Sequence, residues 1–157
     1  MTAQTLAQAL EAEHHDIDGG IEQYVANLAL GQTDPESLVR AMAALRRHIY
    51  LEEEFLFPPL KADLAMPIFV MLHKHGQTWH DMDALEPLLA SEDSASAESV
   101  TQACQEILAK LERHNEKEEP IIYAHSETVL GAEATAQMQE FLASGSMPAG
   151  WRCERAS

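Results

Sequence analysis

Two stretches of the chain repeat one arrangement of side chains: His48-Ile-Tyr-Leu-Glu52-Glu53-Glu54-Phe55-Leu56-Phe57-Pro58-Pro59 and His114-Asn-Glu-Lys-Glu118-Glu119-Pro120. In each, a histidine precedes a carboxylate by four residues inside a segment of apolar periodicity. On a helix that spacing stacks imidazole and carboxylate on one face, with Cβ atoms about 5–6 Å apart. One such helix offers two ligands to a single metal centre. Two of them packed face to face can hold a pair of metals, because a carboxylate bridges while imidazoles cap the outer positions.

Helical periodicity runs through almost the whole chain, and no stretch alternates with a period of two. The first helix is expected over about 5–30, with Leu6, Leu10, Ile17, Ile21, Tyr24, Val25 and Leu28 as its stripe and Gly31 as its stop. The pair Gly19-Gly20 inside it calls for a local distortion or a close neighbour. Asp34-Pro35 opens a second helix, with an N-cap followed by proline at the first position, and it ends near Pro58-Pro59. Met66-Pro67 opens a third, whose stripe is Ile68, Met71, Leu72, His75, Trp79, Met82, Leu85 and Leu89. Ser91 to Ala97 reads as a surface connection. The fourth helix runs from about Glu98 to the neighbourhood of Pro120, which must kink or end it. A short helix over 132–143 follows. The fold class is all-α: an antiparallel up-down four-helix bundle with a short extra C-terminal helix, one domain over residues 1–145, and a flexible tail over 146–157.

The chain contains 8 histidines, and helical phase separates them. His14 shares a face with Leu10, Ile17 and Ile21, whereas His15 lies beside Glu11 and Asp18, toward solvent. His48 follows Leu45 and precedes Glu52 and Phe55. His75 lies between Leu72 and Trp79, while His73 and His80 share a more polar flank. His114 continues Ile107 and Leu111 toward Glu118. Each long helix thus contributes one inward histidine, and two add an inward glutamate.

A single histidine on an apolar stripe is more often a hydrogen-bonded core residue than a ligand, and a run such as Glu52-Glu53-Glu54 is usually a solvated face. Four inward imidazoles with two inward carboxylates are another matter, since a carboxylate on an apolar face is costly to bury unless paired or bound to a cation. The candidate metal ligands are therefore His14, His48, Glu52, His75, His114 and Glu118. Glu53, Glu54 and Glu119 are expected to face water or to support the ligands, Asp18 is open between the same two roles, and His125 lies beyond the kink. Mixed imidazole and carboxylate ligands suit iron or manganese better than zinc. The spacing matches neither the paired Glu-x-x-His of ferritin-like bundles nor the His-Glu-x-x-His of zinc proteases.

Lys and Arg number 10 against 26 Asp and Glu, a net charge of −16 that repels nucleic acid and anionic membranes and attracts cations. The N-terminus lacks a basic start, and no apolar run approaches the roughly 18 residues of a membrane span. Cys104 and Cys153 form no framework, so reduced thiols and a cytoplasmic location are expected, with neither nucleic acid nor membrane as partner.

Taken together, Glu13-His14 followed by Ile17-Asp18, His48-x-x-x-Glu52-Glu53-x-x-x-Phe57-Pro58, the His75 helix and His114-x-x-x-Glu118-Glu119 resemble the hemerythrin-like, or HHE cation-binding, domain over about residues 5–125. The resemblance implies a four-helix bundle holding two non-haem iron ions, bridged by carboxylates and an oxo or hydroxo group, with His14, His48, Glu52, His75, His114 and Glu118 at the ligand positions. It also implies a role in binding or reacting with oxygen, nitric oxide or peroxide, served by an electron donor. The alternatives within the family are a non-catalytic iron-binding or sensing module and a factor in iron–sulfur repair. Oxygen carriers of the family have a second histidine four residues after the third-helix ligand, where this chain has Trp79, and they end on an aspartate five residues after the last histidine, where Glu119 stands. Fewer histidines leave more positions for exogenous ligand. Trp79 is expected to wall that position.

Overall fold

In this computed structural model, which describes residues 4–89 and 94–156, α1 (Leu6–Ala29) begins with a capping box. The Thr5 hydroxyl accepts from the Gln8 amide at 3.1 Å, and the Gln8 side chain accepts from the Thr5 amide at 2.9 Å, so two donors of the open first turn are satisfied. The helix ends at Gly31, whose φ of 78° is the left-handed conformation that glycine adopts without strain. Gly20 marks a close approach to the next helix, because a Cβ there would lie 3.3 Å from the Ala41 Cβ. Nothing in the structure explains Gly19.

Asp34 caps α2 (Pro35–Leu51), which leads without a break into a π turn over Glu52–Leu56 and a last α turn, α3 (Phe57–Leu60). After α4 (Ala65–Leu89), α5 (Ser94–Glu118) meets a second π turn over Glu119–Tyr123 and continues as α6 (Ala124–Val129). The helix is already formed at Ser94, so the expected connection is shorter than Ser91 to Ala97, and its first part lies outside the described residues. α7 (Ala132–Ser144) completes the set, and no strand occurs among the described residues.

The prolines do not end the helices; they widen them. Pro58 and Pro120 lack the N–H that an α-helix needs, and their rings crowd the carbonyl four residues back. The chain answers by passing bonds to the fifth residue: the Phe57 amide donates to the Glu52 carbonyl and the Ala124 amide to the Glu119 carbonyl.

Two apolar clusters flank a polar layer. One contains Ile17, Ile21, Leu45, Ile49, Trp79, Met82, Ile107 and Leu111; the other contains Leu6, Leu10, Leu51, Leu56, Leu72, Ile122 and Tyr123. His14, His48, His75 and His114 each fall in sequence between a member of one cluster and a member of the other. Every long helix thus carries its histidine at the level where the two cores meet.

The stretch expected to be a flexible tail is packed. Cys153 and Ala156 are buried in the first cluster, and the Trp151 ring lies 5.6 Å from that of Trp79 and 5.1 Å from that of Tyr50. Gly76 of α4 makes room for it: a Cβ there would come within 2.7 Å of the Arg155 Cβ and closer still to the Arg155 carbonyl. The segment has no periodicity for a sequence reading to detect, because it is held by single large rings and one missing side chain.

Candidate metal centre

α1 supplies His14, α2 His48, α4 His75 and α5 His114, all buried; Glu52 opens the first π turn and Glu118 closes α5, both with no exposed surface. Their donor atoms form two groups that share both glutamates. In one, His14, His48, Glu52 and Glu118 offer atoms all within 4.8 Å of one another, and in the other Glu52, His75, His114 and Glu118 do the same. The structure thus brings all six sequence-selected residues to one place.

Carboxylates behind the rings orient three of these imidazoles. His48 Nδ1 lies 2.8 Å from Glu13, His75 Nδ1 2.7 Å from Glu53, and His14 Nδ1 2.8 Å from Glu119. Donating the Nδ1 proton to a carboxylate fixes the tautomer that turns the Nε2 lone pair inward. Glu53 and Glu119 fill one of the two roles expected of them, and Glu13 is an addition: it faces α2, which no pattern within α1 reveals.

Inward lone pairs and inward carboxylate oxygens are all acceptors, so the arrangement asks for positive charge. His14 Nε2 and His114 Nε2 lie 3.3 and 3.1 Å from Glu118, yet both Glu118 oxygens are buried without a hydrogen bond of proper geometry. Protons answer part of that need. Burial opposes charge on His48, but Glu52 and Glu13 outweigh it and raise the imidazole to about 10. Burial is likewise outweighed at His75 by Glu52 and Glu53, which raise it to about 9. Glu52 is pushed up by burial and down, more strongly in sum, by His48 and His75, and stays well below the usual carboxylate range. Hard oxygen donors mixed with imidazole nitrogens, a buried carboxylate left without hydrogen-bond partners and two overlapping donor groups fit the binding of metal cations.

Tyr123 stands inside the first donor group. Its hydroxyl donates to Glu52 Oε2 at 2.8 Å and lies 2.8 Å from His14 Nε2 and 2.9 Å from His48 Nε2. Burial, with the Glu118 and Glu52 carboxylates, raises this phenol well above its ordinary value, so the hydroxyl keeps its proton here. The sequence reading missed it because of the π turn. At about 100° per residue, a position five beyond Glu118 would stand about 140° away on an α-helix; absorbing one residue in the turn brings it to within about 40°. The duplicated aromatic, Phe57 after Glu52 and Tyr123 after Glu118, is the signal that was available.

Trp79 departs from expectation. It packs on Trp151, with the Arg46 guanidinium 5.3 Å from its ring centre, and does not reach the space beside the donor atoms. Thr78 does, because positions three and four beyond His75 fall on opposite flanks of the helix. That space takes the centre of a water-sized molecule over about 20 Å³, and its walls are Ile17, Leu45, Ile49 and Leu111, with Thr78, Asp18 and Asn115 as polar members. His15, His73 and His80 are exposed, and His125 pairs with Asp63 at 3.0 Å.

The family described as Hemerythrin HHE cation binding domain matches the chain over residues 5–125. No curated protein and no solved structure matches it.

Proposed function

The chain belongs to the hemerythrin HHE cation-binding family, and from that premise we propose that it holds two non-haem irons, with a bridging oxo or hydroxo group, and binds or reacts with oxygen, nitric oxide or peroxide. His14, His48, Glu52 and Glu118 would hold one iron and His75, His114, Glu52 and Glu118 the other. The observation that carries this reading is Glu118: a fully buried carboxylate between two imidazoles, with both oxygens lacking hydrogen-bond partners.

The helices support an antiparallel up-down bundle over residues 1–145. Along α1 and α4 the chain passes from the Leu6 cluster toward the Ile17 cluster, and along α2 and α5 it returns. No described helix is long and apolar enough to cross a membrane. The two described cysteines are free and buried, which supports a reducing, cytoplasmic setting.

An iron pair supplies ligand binding and electron storage when bound. The chain does the rest. Glu13, Glu53 and Glu119 hold three imidazoles in the ligating tautomer. Ile17, Leu45, Ile49 and Leu111 give the space beside the donor atoms apolar walls, and the centre of a water-sized molecule can range there over about 20 Å³, which suits a small ligand. The Thr78 hydroxyl can donate to such a molecule, and the buried Asn115 Oδ1, which has no partner, can accept from a protonated peroxide.

Anaerobic reconstitution with ferrous iron, desalting and metal analysis test the reading. About two irons per chain should remain, with near-ultraviolet oxo-to-iron absorption after air and a shifted spectrum after nitric oxide is added to the reduced protein. A folded protein that retains no iron would overturn it.

A further inference from the structure

The two halves of the site are related by an approximate two-fold. His14 pairs with Glu118 and Glu119 as His75 pairs with Glu52 and Glu53. Each glutamate is followed five residues later, across a π turn, by an aromatic ring, Tyr123 over His14 and Phe57 over His75, with ring centres 5.3 and 5.6 Å apart. The symmetry fails at the aromatic pair, where Tyr123 has a hydroxyl and Phe57 does not, and behind His48, whose Glu13 partner has no counterpart at His114 among the described residues.

That hydroxyl touches three donor atoms of one group at 2.8–2.9 Å. Adjacent ligands on an octahedral ion with bonds of about 2.1 Å stand about 3 Å apart, which is the same spacing. An oxygen that keeps this distance to two imidazole nitrogens and a carboxylate oxygen at once stands where a fourth ligand beside them would stand. A structural hydrogen bond would need only one of the three.

We infer that Tyr123 is a ligand to one iron of the proposed pair and that the other iron has no counterpart, so that the two metal positions are chemically different. The inference rests on the di-iron reading and extends it. On metal entry the phenol O–H bond breaks, the oxygen–iron bond forms, and the proton leaves to solvent with those displaced from the imidazoles. The hydrogen bond to Glu52 is lost in the exchange, which frees that carboxylate oxygen for metal. The phenolate-bearing position favours ferric iron, and the His75–His114 position, with no phenolate, holds the more easily reduced iron.

The test compares wild type, Tyr123→Phe and Phe57→Tyr after ferrous loading and air oxidation, by iron analysis, visible absorption and resonance Raman. Wild type should show a visible phenolate-to-iron(III) charge-transfer band whose excitation enhances phenolate ring modes. Tyr123→Phe should lose both while keeping iron, and Phe57→Tyr should add a second, distinct phenolate signal. Iron-loaded wild type without the band, or a band that survives in Tyr123→Phe, overturns the assignment and leaves the di-iron reading standing. Failure of wild type to hold iron removes both.

Discussion

The amide of Glu154 and the ring of His75 meet on one carboxylate: Glu53 accepts the Glu154 N–H at 2.9 Å through one oxygen and pairs with His75 Nδ1 at 2.7 Å through the other. The last described residues of the chain therefore help to set an imidazole that faces the metal site. Deleting residues 150–157 should weaken one of two iron equivalents by about 10–100-fold, the usual scale for losing such support. Glu53→Gln should do the same, whereas Glu154→Ala, which keeps the backbone N–H, should not. Iron titrations showing two equivalents of unchanged affinity in the truncated protein would refute the link.

Gly76 should reverse the sign of its own substitution. With the tail in place, Gly76→Ala forces a Cβ against Arg155 and should cost about 1–3 kcal/mol as an overpacked contact. In the truncated background the same change should stabilise α4 by about 1 kcal/mol, through helix propensity alone. Urea denaturation of the four proteins measures the cycle, and an equal effect in both backgrounds would mean that the tail does not press on Gly76.

The metal-free protein should lose stability on the alkaline side. His48 and His75 are raised from 6.5 to about 10 and about 9, so their contribution is complete below pH 6.5 and disappears as pH climbs through those values. Glu52 and Glu118 are lowered, so theirs is present above the ordinary carboxylate value of 4.5 and fades with acidification. Melting in the presence of a chelator should peak between those limits and fall toward pH 10. Iron-loaded protein should lack the alkaline decline, because the cation replaces the protons; a metal-free melting point that rises from pH 6.5 to 10 would contradict the charge assignment.

Linkage separates the buried from the exposed histidines. His48→Ala and Glu118→Ala should remove the melting shift produced by iron, worth about 4 kcal/mol when free metal exceeds the dissociation constant a thousandfold. His15→Ala and His80→Ala, at exposed positions, should retain it. Differential scanning calorimetry with and without iron reads the difference directly.

The grouping of His14, His48, His75, His114, Glu52 and Glu118 is legible in the sequence because each lies on an uninterrupted α phase, where spacing alone fixes the face. Tyr123 is not, since the π turn intervenes between it and Glu118. Thr78 and Trp79 could not be ordered from spacing, because both flank His75 and the helix crossing decides which flank meets the cavity. Glu13 and the tail are set by contacts between distant segments, Glu13 with His48 and Arg155 with Gly76, and such pairings leave no local pattern.

The two π turns also make the helices that carry the glutamates vulnerable in a particular way. Each holds one residue more than a straight α-helix would accommodate over the same rise, with bonds to the fifth residue in place of the fourth. Loss of a single residue from either turn would relax it into regular helix. Such a deletion would leave Tyr123 or Phe57 four residues after its glutamate, about 40° away and on the same face, whereas one further residue would swing the ring by about 100° and dismantle the pocket. In this fold, one residue inserted next to Glu52 or Glu118 is a change of chemistry and one deleted there is a return to regular helix, whereas in the loops after Gly31 or Leu130 either would be a change of length.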